Sequence, residues 1–274
     1  RHPPRQGERG DQPCALPLRH ALALPLARLT PARQLAHLNA GFAAYGLPPA
    51  ALRDATRPPS AANLCATGER PANATTHVAV NAAANTPANA PTNTATSDDD
   101  PLISVLMTAY RSAERIAAAI ASVLAQTHHR LELIVVDDAS DDATPETVRD
   151  WCQRDARVRR LVLPCNVGPY LAKHVALRHA RGRFITCHDA DDWSHPLKLE
   201  RQLAPLLADA RLIATTSLWV RLNDHGQPAL HRPYPLARLN PSSLLFRRQP
   251  VLETTGAWDL VRTGADSELI ARLK

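Results

Sequence analysis

From Pro101 onward the sequence predicts an α/β fold, a Rossmann-like, mostly parallel sheet flanked by helices, preceded by a largely disordered N-terminal region. Three observations predict it. Short β-branched runs alternate with helical patterns in the order β-α-β-α-β-α-β, as parallel strands joined by crossover helices require. With 45% hydrophobic and 21% charged residues, the 274-residue chain can bury a sizeable core. Acidic residues directly follow strand runs, at the strand ends where open parallel sheets bind ligands.

Arg1 to Pro13 is rich in Arg, Pro, Gln and Gly with nothing apolar to bury, which predicts a disordered arm. Leu35, Leu38, Phe42 and Tyr45 recur at helical spacing between Pro31, suited to a first turn, and Gly46, suited to a stop. Residues 1–70 therefore read as an arm with a short helix near 31–46. Pro71 to Ser97 has no Lys, Arg, Asp or Glu and no large apolar residue, so 71–100 reads as a low-complexity Ala/Asn/Thr/Pro linker. A compact domain is expected over 101–274. Its first strand is Ile103 to Met107, followed by a helix that Ser112 can cap and in which Ile116, Ala119, Ile120, Val123 and Leu124 share a face. Leu131 to Val136 is the second strand, and Thr144 is expected to cap the next helix, with Pro145 at its first position and Glu146 in its positive first turn. Val158 to Leu163 is the third strand. Pro169 opens a helix that Gly182 ends, and Phe184 to Cys187 is the fourth strand. A further helix begins after Pro196, where Pro205 should kink or shorten it; Leu212 to Arg221, with the turn signal Asn223-Asp224-His225-Gly226, reads as a strand and turn.

Lys+Arg 32 against Asp+Glu 26 gives a net charge of +6, which suits anionic partners. Aromatics are only 4% and the arginines are scattered, so no nucleic-acid partner is expected. Cys14, Cys65, Cys152, Cys165 and Cys187 show no metal-ligand spacing and read as free thiols in a reducing compartment. No apolar run reaches the ~18 residues of a membrane span. The expected location is cytoplasmic. Arg247 and Arg248 read first as solvated charge, and second as a peripheral contact with the inner face of a membrane or an anionic glycan. The chain starts with Arg1 rather than Met and reads as a fragment.

Three strand ends carry chemistry. Thr108, Ala109 and Tyr110 offer a hydroxyl, a small residue that lets a ligand approach the backbone, and a ring able to stack on a base. Asp137-Asp138 can accept from an imide N–H or a ribose hydroxyl; taken alone, loop capping is the stronger reading. Ser140, Asp141, Asp142 and Thr144 are assigned to capping. In His188-Asp189-Ala190-Asp191-Asp192-Trp193, three carboxylates fall within four positions, and like charges so close share protons or a cation. Oxygen-only ligands favour Mg²⁺ or Mn²⁺, which take their remaining ligands from water and substrate phosphates, so a diphosphate is expected; an acidic surface loop is the alternative. Lys173, after Asn166-Val167-Gly168, can face the same crevice or be solvated. Asp266 can cap the helix holding Leu269, Ile270 and Leu273, or, if that helix faces the crevice, Asp266 or Glu268 can act as a general base.

The runs Ile103-Ser104-Val105-Leu106-Met107-Thr108-Ala109-Tyr110 and Val135-Val136-Asp137-Asp138-Ala139-Ser140-Asp141-Asp142, then His188-Asp189-Ala190-Asp191-Asp192 and Gly264-Ala265-Asp266-Ser267-Glu268, resemble family-2 glycosyltransferases of the GT-A fold. They are most similar to bacterial members that build capsular and other surface polysaccharides, and Pro48 to Leu64 is similar to the poorly ordered lead-in some of these carry. The resemblance implies a nucleotide-diphosphate-sugar donor, most often a UDP-sugar, a hydroxyl acceptor such as a glycan, and Mn²⁺ or Mg²⁺. Thr108, Ala109 and Tyr110 would hold the nucleoside, Asp138 the uracil imide, Lys173 would match the family's basic residue, and Asp189 would approach the ribose or the metal. Asp191 would bind the ion, Asp266 would be the catalytic base, and Trp193, Ser194 and His195 would lie near the sugar. Family members usually continue past the point matching Lys274, so the resemblance also implies a domain truncated at its C-terminus. A non-catalytic nucleotide-sugar binder or inactive remnant is the alternative. A sugar-phosphate nucleotidyltransferase ranks lower because Thr108 to Ser112 lacks a glycine, and a dinucleotide oxidoreductase because no GxGxxG follows a strand.

Overall fold

The computed structural model describes residues 29–67, 100–227, 237–261 and 263–273. The expected arm at Arg1 to Pro13 and the linker at Pro71 to Ser97 lie outside them, as does Cys14. Helix α1 (Pro31–Ala44) is followed by a two-stranded antiparallel ladder of β1 (Ala50–Leu52) and β2 (Leu64–Ala66). Thus Pro48 to Leu64 is not a poorly ordered lead-in: Asn39 bonds both the N–H and C=O of Ala50, and buried Asn63 ties the connecting turn to Asp54, Arg57 and Pro58.

The main sheet comprises β3 (Ile103–Ala109), β4 (Leu131–Asp137), β5 (Val158–Val162), β6 (Phe184–Cys187), β7 (Ala214–Trp219) and β8 (Arg238–Arg247), in the order β5-β4-β3-β6-β8-β7. The first four are parallel, and β8 is antiparallel to both its neighbours. Helices α2 (Ile116–Leu124), α3 (Thr144–Arg154), α4 (Pro169–His179), α5 (Lys198–Ala208), α6 (Arg248–Thr254) and α7 (Ala265–Arg272) complete it. Alternation along β3 sends Val105 and Met107 into a core with α2, α3 and α5, and Leu106 into a second core with α4, α6 and α7. The chain lays its strands outward from β3 in one direction to β4 and β5 and then crosses to β6 on the other side, so a crevice opens at the carboxyl ends of the parallel β3 and β6.

Several local expectations are corrected. Ser112 does not cap α2, which starts at Ile116; the Ser112 N–H instead donates to Thr144 Oγ1 at 2.8 Å. Thr144 is therefore spent across the loop, and Asp142 accepts the Thr144 N–H at 3.0 Å. Gly182 does not end α4, which stops at His179; it is required because a Cβ there would sit 2.5 Å from the Ser104 amide. Helix α5 runs through Pro205 to Ala208. Strand β8 has no counterpart in the sequence reading.

Candidate active site

A cleft of about 900 Å³ opens at the carboxyl ends of β3, β4 and β6, lined by Thr108, Ala109, Tyr110, Asp138, Asp189 and Asp191 among others. Six of the eight predicted site residues thus meet in one place. Ala109 is buried and Tyr110 is 45% exposed, with the Arg111 guanidinium 5.2 Å from its ring centroid, so a flat group can be received on the ring surface that Arg111 leaves open. The next residue, Arg111, has φ 48°, and Ala139 on the neighbouring loop has φ 60°. Two non-glycine residues in the left-handed region at one rim are strain held by surrounding contacts: Arg111 N–H donates to Ser140 Oγ, and its guanidinium grips Asp141 through two 2.6 Å bonds.

Asp138 is a structural hub. Its N–H donates to Ala109 O at 2.8 Å, and its two carboxylate oxygens accept the N–H groups of Val167 and Gly168, each at 2.8 Å. It therefore fixes the loop before α4, where Gly168 at φ 88° makes the turn. The carboxylate keeps acceptor capacity beyond these two bonds. Asp137 is buried and caps its own turn through the Ser140 N–H.

The fully buried β6 delivers His188, Asp189, Asp191 and Asp192 in succession. Burial pushes the His188 imidazole down to about 3, with Lys198 adding to the effect, so it is neutral and sits between Ser194 and Ser122 as a packing group. The Asp192 N–H donates to Asp189 O, a tight turn that leaves Asp191 exposed. Partial burial, together with Asp266 and Asp191, raises the Asp189 carboxyl despite Lys173. Burial, then Asp189 and Asp191, push Asp192 up to about 7. The nearby Lys198 is itself lowered by burial. Negative charge is thus in excess on this turn, and the donors are all oxygens, which suits a hard divalent cation. Among the described residues no group of three or more His, Cys, Asp or Glu side chains is arranged to hold a metal by itself, so such an ion needs water and phosphate as further ligands.

Lys173 and Asp266 are brought together, away from the cleft lining. Lys173 is 3% exposed, and its Nζ lies 2.9 and 3.0 Å from the two oxygens of buried Asp266. Burial opposes the Lys173 charge, but Cys187, Asp266 and Asp189 outweigh it and raise the ammonium. Asp266 Oδ2 also accepts from Tyr170 at 3.4 Å and Ser242 at 3.3 Å. Asp266 does not cap α7, whose N-cap is Gly264, and Glu268 pairs with Arg272 one turn on. Ser242, on the strand the sequence reading missed, and Tyr170 of α4 are contacts of Asp266 that the sequence did not single out.

The sequence model described as glycosyl transferase family 2 matches residues 104–267. The chain is 37% identical over 134 residues to the succinoglycan biosynthesis protein ExoO of Rhizobium meliloti, covering 46% of this chain and 38% of that protein. It is 39% identical over 80 residues to an uncharacterized glycosyltransferase of Haemophilus influenzae, covering 29% and 32%. The matched segment thus spans about a third of these relatives. Among solved structures, the mannosyltransferase PcManGT from Pyrobaculum calidifontis, in complex with GDP-Man and Mn²⁺, superposes with a TM-score of 0.53 at 25% identity, covering 67% of this chain and 55% of that one.

Proposed function

The chain belongs to glycosyl transferase family 2, and on that basis we propose that it transfers a sugar from a nucleotide-diphosphate donor to a hydroxyl acceptor in polysaccharide or glycoconjugate biosynthesis. The observation that carries this reading is the convergence of Tyr110, Asp138, Asp189 and Asp191 on one cleft at the switch point of the sheet. The base lies against Tyr110 at the end of β3, with UDP the first candidate nucleotide and GDP the second, since PcManGT holds GDP-Man. Asp138 orients the base edge while holding the Val167–Gly168 turn. Asp191, with Asp189 beside it, would hold Mn²⁺ or Mg²⁺, which when bound would neutralise the charge the leaving diphosphate gains.

An acceptor hydroxyl is a weak nucleophile, and Asp266 is the proposed base that takes its proton as it attacks the anomeric carbon opposite the diphosphate. Inversion follows from that single displacement. Lys173 is reassigned from the donor to the base: it holds Asp266 in place, and Oδ1, with Lys173 as its partner, retains a lone pair for the incoming proton. One observation favours a second reading, a nucleotide-sugar binder without turnover: Asp266 shares both oxygens with a buried lysine and does not line the cleft. Calorimetric titration of UDP and of GDP, with and without Mn²⁺, on the native chain and on Asp191→Ala tests the donor site. Metal-dependent binding lost in the variant supports it, and no binding of either nucleotide by the folded chain refutes it. Donor turnover then separates enzyme from binder.

A further inference from the structure

A second cleft, of about 850 Å³, adjoins the first and shares Arg115, Asp189 and Asp191 with it. Its outer wall comes from outside the family-matched span: Leu38 and Phe42 of α1, Tyr45 and Leu47 just after it, and Leu64 of β2. This N-terminal unit is packed against the catalytic sheet. Leu38, Ala50 and Leu64 form one apolar cluster with Trp193, Val220 and Leu222, and the Phe42 ring lies 5.2 Å from His195 and 6.3 Å from Trp193. His195 Nε2 donates to Pro48 O at 2.9 Å, Arg201 to Gly46 O at 3.2 Å, and Gln34 to His225 O at 3.1 Å.

The lining mixes ring surfaces with polar heads. Tyr45 and Trp193 stand with Asp192, Thr216, Asn240 and Ser242 around one space, whose volume falls within the ~300–1,000 Å³ of small-ligand sites. A pyranose ring, with apolar C–H faces rimmed by hydroxyls, matches such a lining. A straight alkyl chain would offer no hydrogen bond to the Asp192 carboxylate or the hydroxyls of the lining. The shared Asp189 and Asp191 put the junction of the clefts beside the proposed metal and diphosphate, so an occupant of the second cleft would present its end group to the donor sugar.

We propose that the unit formed by residues 31–67 builds an acceptor groove for the end of a glycan chain, with Tyr45 and Phe42 as its wall. The acceptor role rests on the donor reading above; the groove itself rests on its own lining. The unit is then a specificity element supplied from outside the family domain.

The test is an array of oligosaccharides spanning neutral hexoses, hexosamines, deoxyhexoses and uronic acids, with sugar-free alkyl spots alongside, probed with the full chain. Tyr45→Ala removes a side chain 52% exposed, so the fold is undisturbed. The expected result is retention of a subset of glycans by the native chain, weakened about tenfold by Tyr45→Ala, weakened also by Phe42→Ala, and restored by Tyr45→Phe, with UDP affinity in Mn²⁺ unchanged throughout. Retention on no glycan, equal retention by native chain and Tyr45→Ala, or retention on the alkyl spots alone overturns the groove. Nucleotide binding without glycan retention breaks this inference alone, whereas glycan retention without nucleotide binding breaks the donor reading and leaves the glycan groove standing.

Discussion

At the amino ends of the parallel strands Glu132 is 3% exposed, and each of its oxygens receives two donors: Ser104 and the Arg181 N–H on one, Arg159 and the Arg181 guanidinium on the other, at 2.7 to 3.0 Å. Burial alone would raise this carboxyl, yet the four donors hold it below the ordinary glutamate range. At the carboxyl ends of the parallel strands Asp189 is raised by burial, Asp266 and Asp191, and Asp192 by burial, Asp189 and Asp191. One end of the sheet answers its buried charge from within the chain and serves stability. The other end holds the carboxylates that the proposed function gives to a metal ion and a diphosphate.

The comparison breaks if the two ends respond alike. Glu132→Ala strands two arginines and a buried hydroxyl and should cost about 3 kcal/mol in urea unfolding, with nucleotide affinity of the folded fraction unchanged. Asp191→Ala should do the reverse: nucleotide affinity in Mn²⁺ drops at least about 30-fold while the unfolding midpoint moves little, since Asp191 is exposed. Gly182→Ala pushes a methyl against the Ser104 backbone within the Glu132 network and should destabilise by about 2 kcal/mol. The smallest effect is in pH. Because the folded Glu132 value lies below its ordinary 4.5, the stability tied to its ionisation is complete above that pH and is lost as acid carries the pH through the lower folded value. Thermal midpoints of the native chain and Glu132→Gln should therefore converge on acidification below pH ~4.5; parallel curves would show that the network holds no such energy.

Both ends were unequally legible in the sequence. The strands β3, β4 and β6 stand out as apolar runs, and their acidic ends are read directly, because residues that follow a buried strand need no tertiary contact to be placed. Helix α1 was equally visible in the spacing of Leu35, Leu38 and Phe42. Strand β8 was hidden by Asn240-Pro241-Ser242-Ser243, which breaks the apolar pattern where its ladder to β7 is irregular. The caps assigned to Ser112 and Thr144 failed because those residues bond each other across a loop. Lys173 and Asp266 were each singled out, but their ion pair spans 93 positions and follows from α4 and α7 sharing one core. The Glu132 network gave no signal, since Arg159 and Arg181 look like surface charge until the strands pair.

The most direct test is Mn²⁺ binding followed by electron paramagnetic resonance as UDP is added to the native chain, Asp191→Ala and Glu132→Gln. The account predicts bound Mn²⁺ in the native chain and in Glu132→Gln when UDP is present, and its loss in Asp191→Ala. Binding indifferent to Asp191, or no bound Mn²⁺ with UDP present, would contradict it.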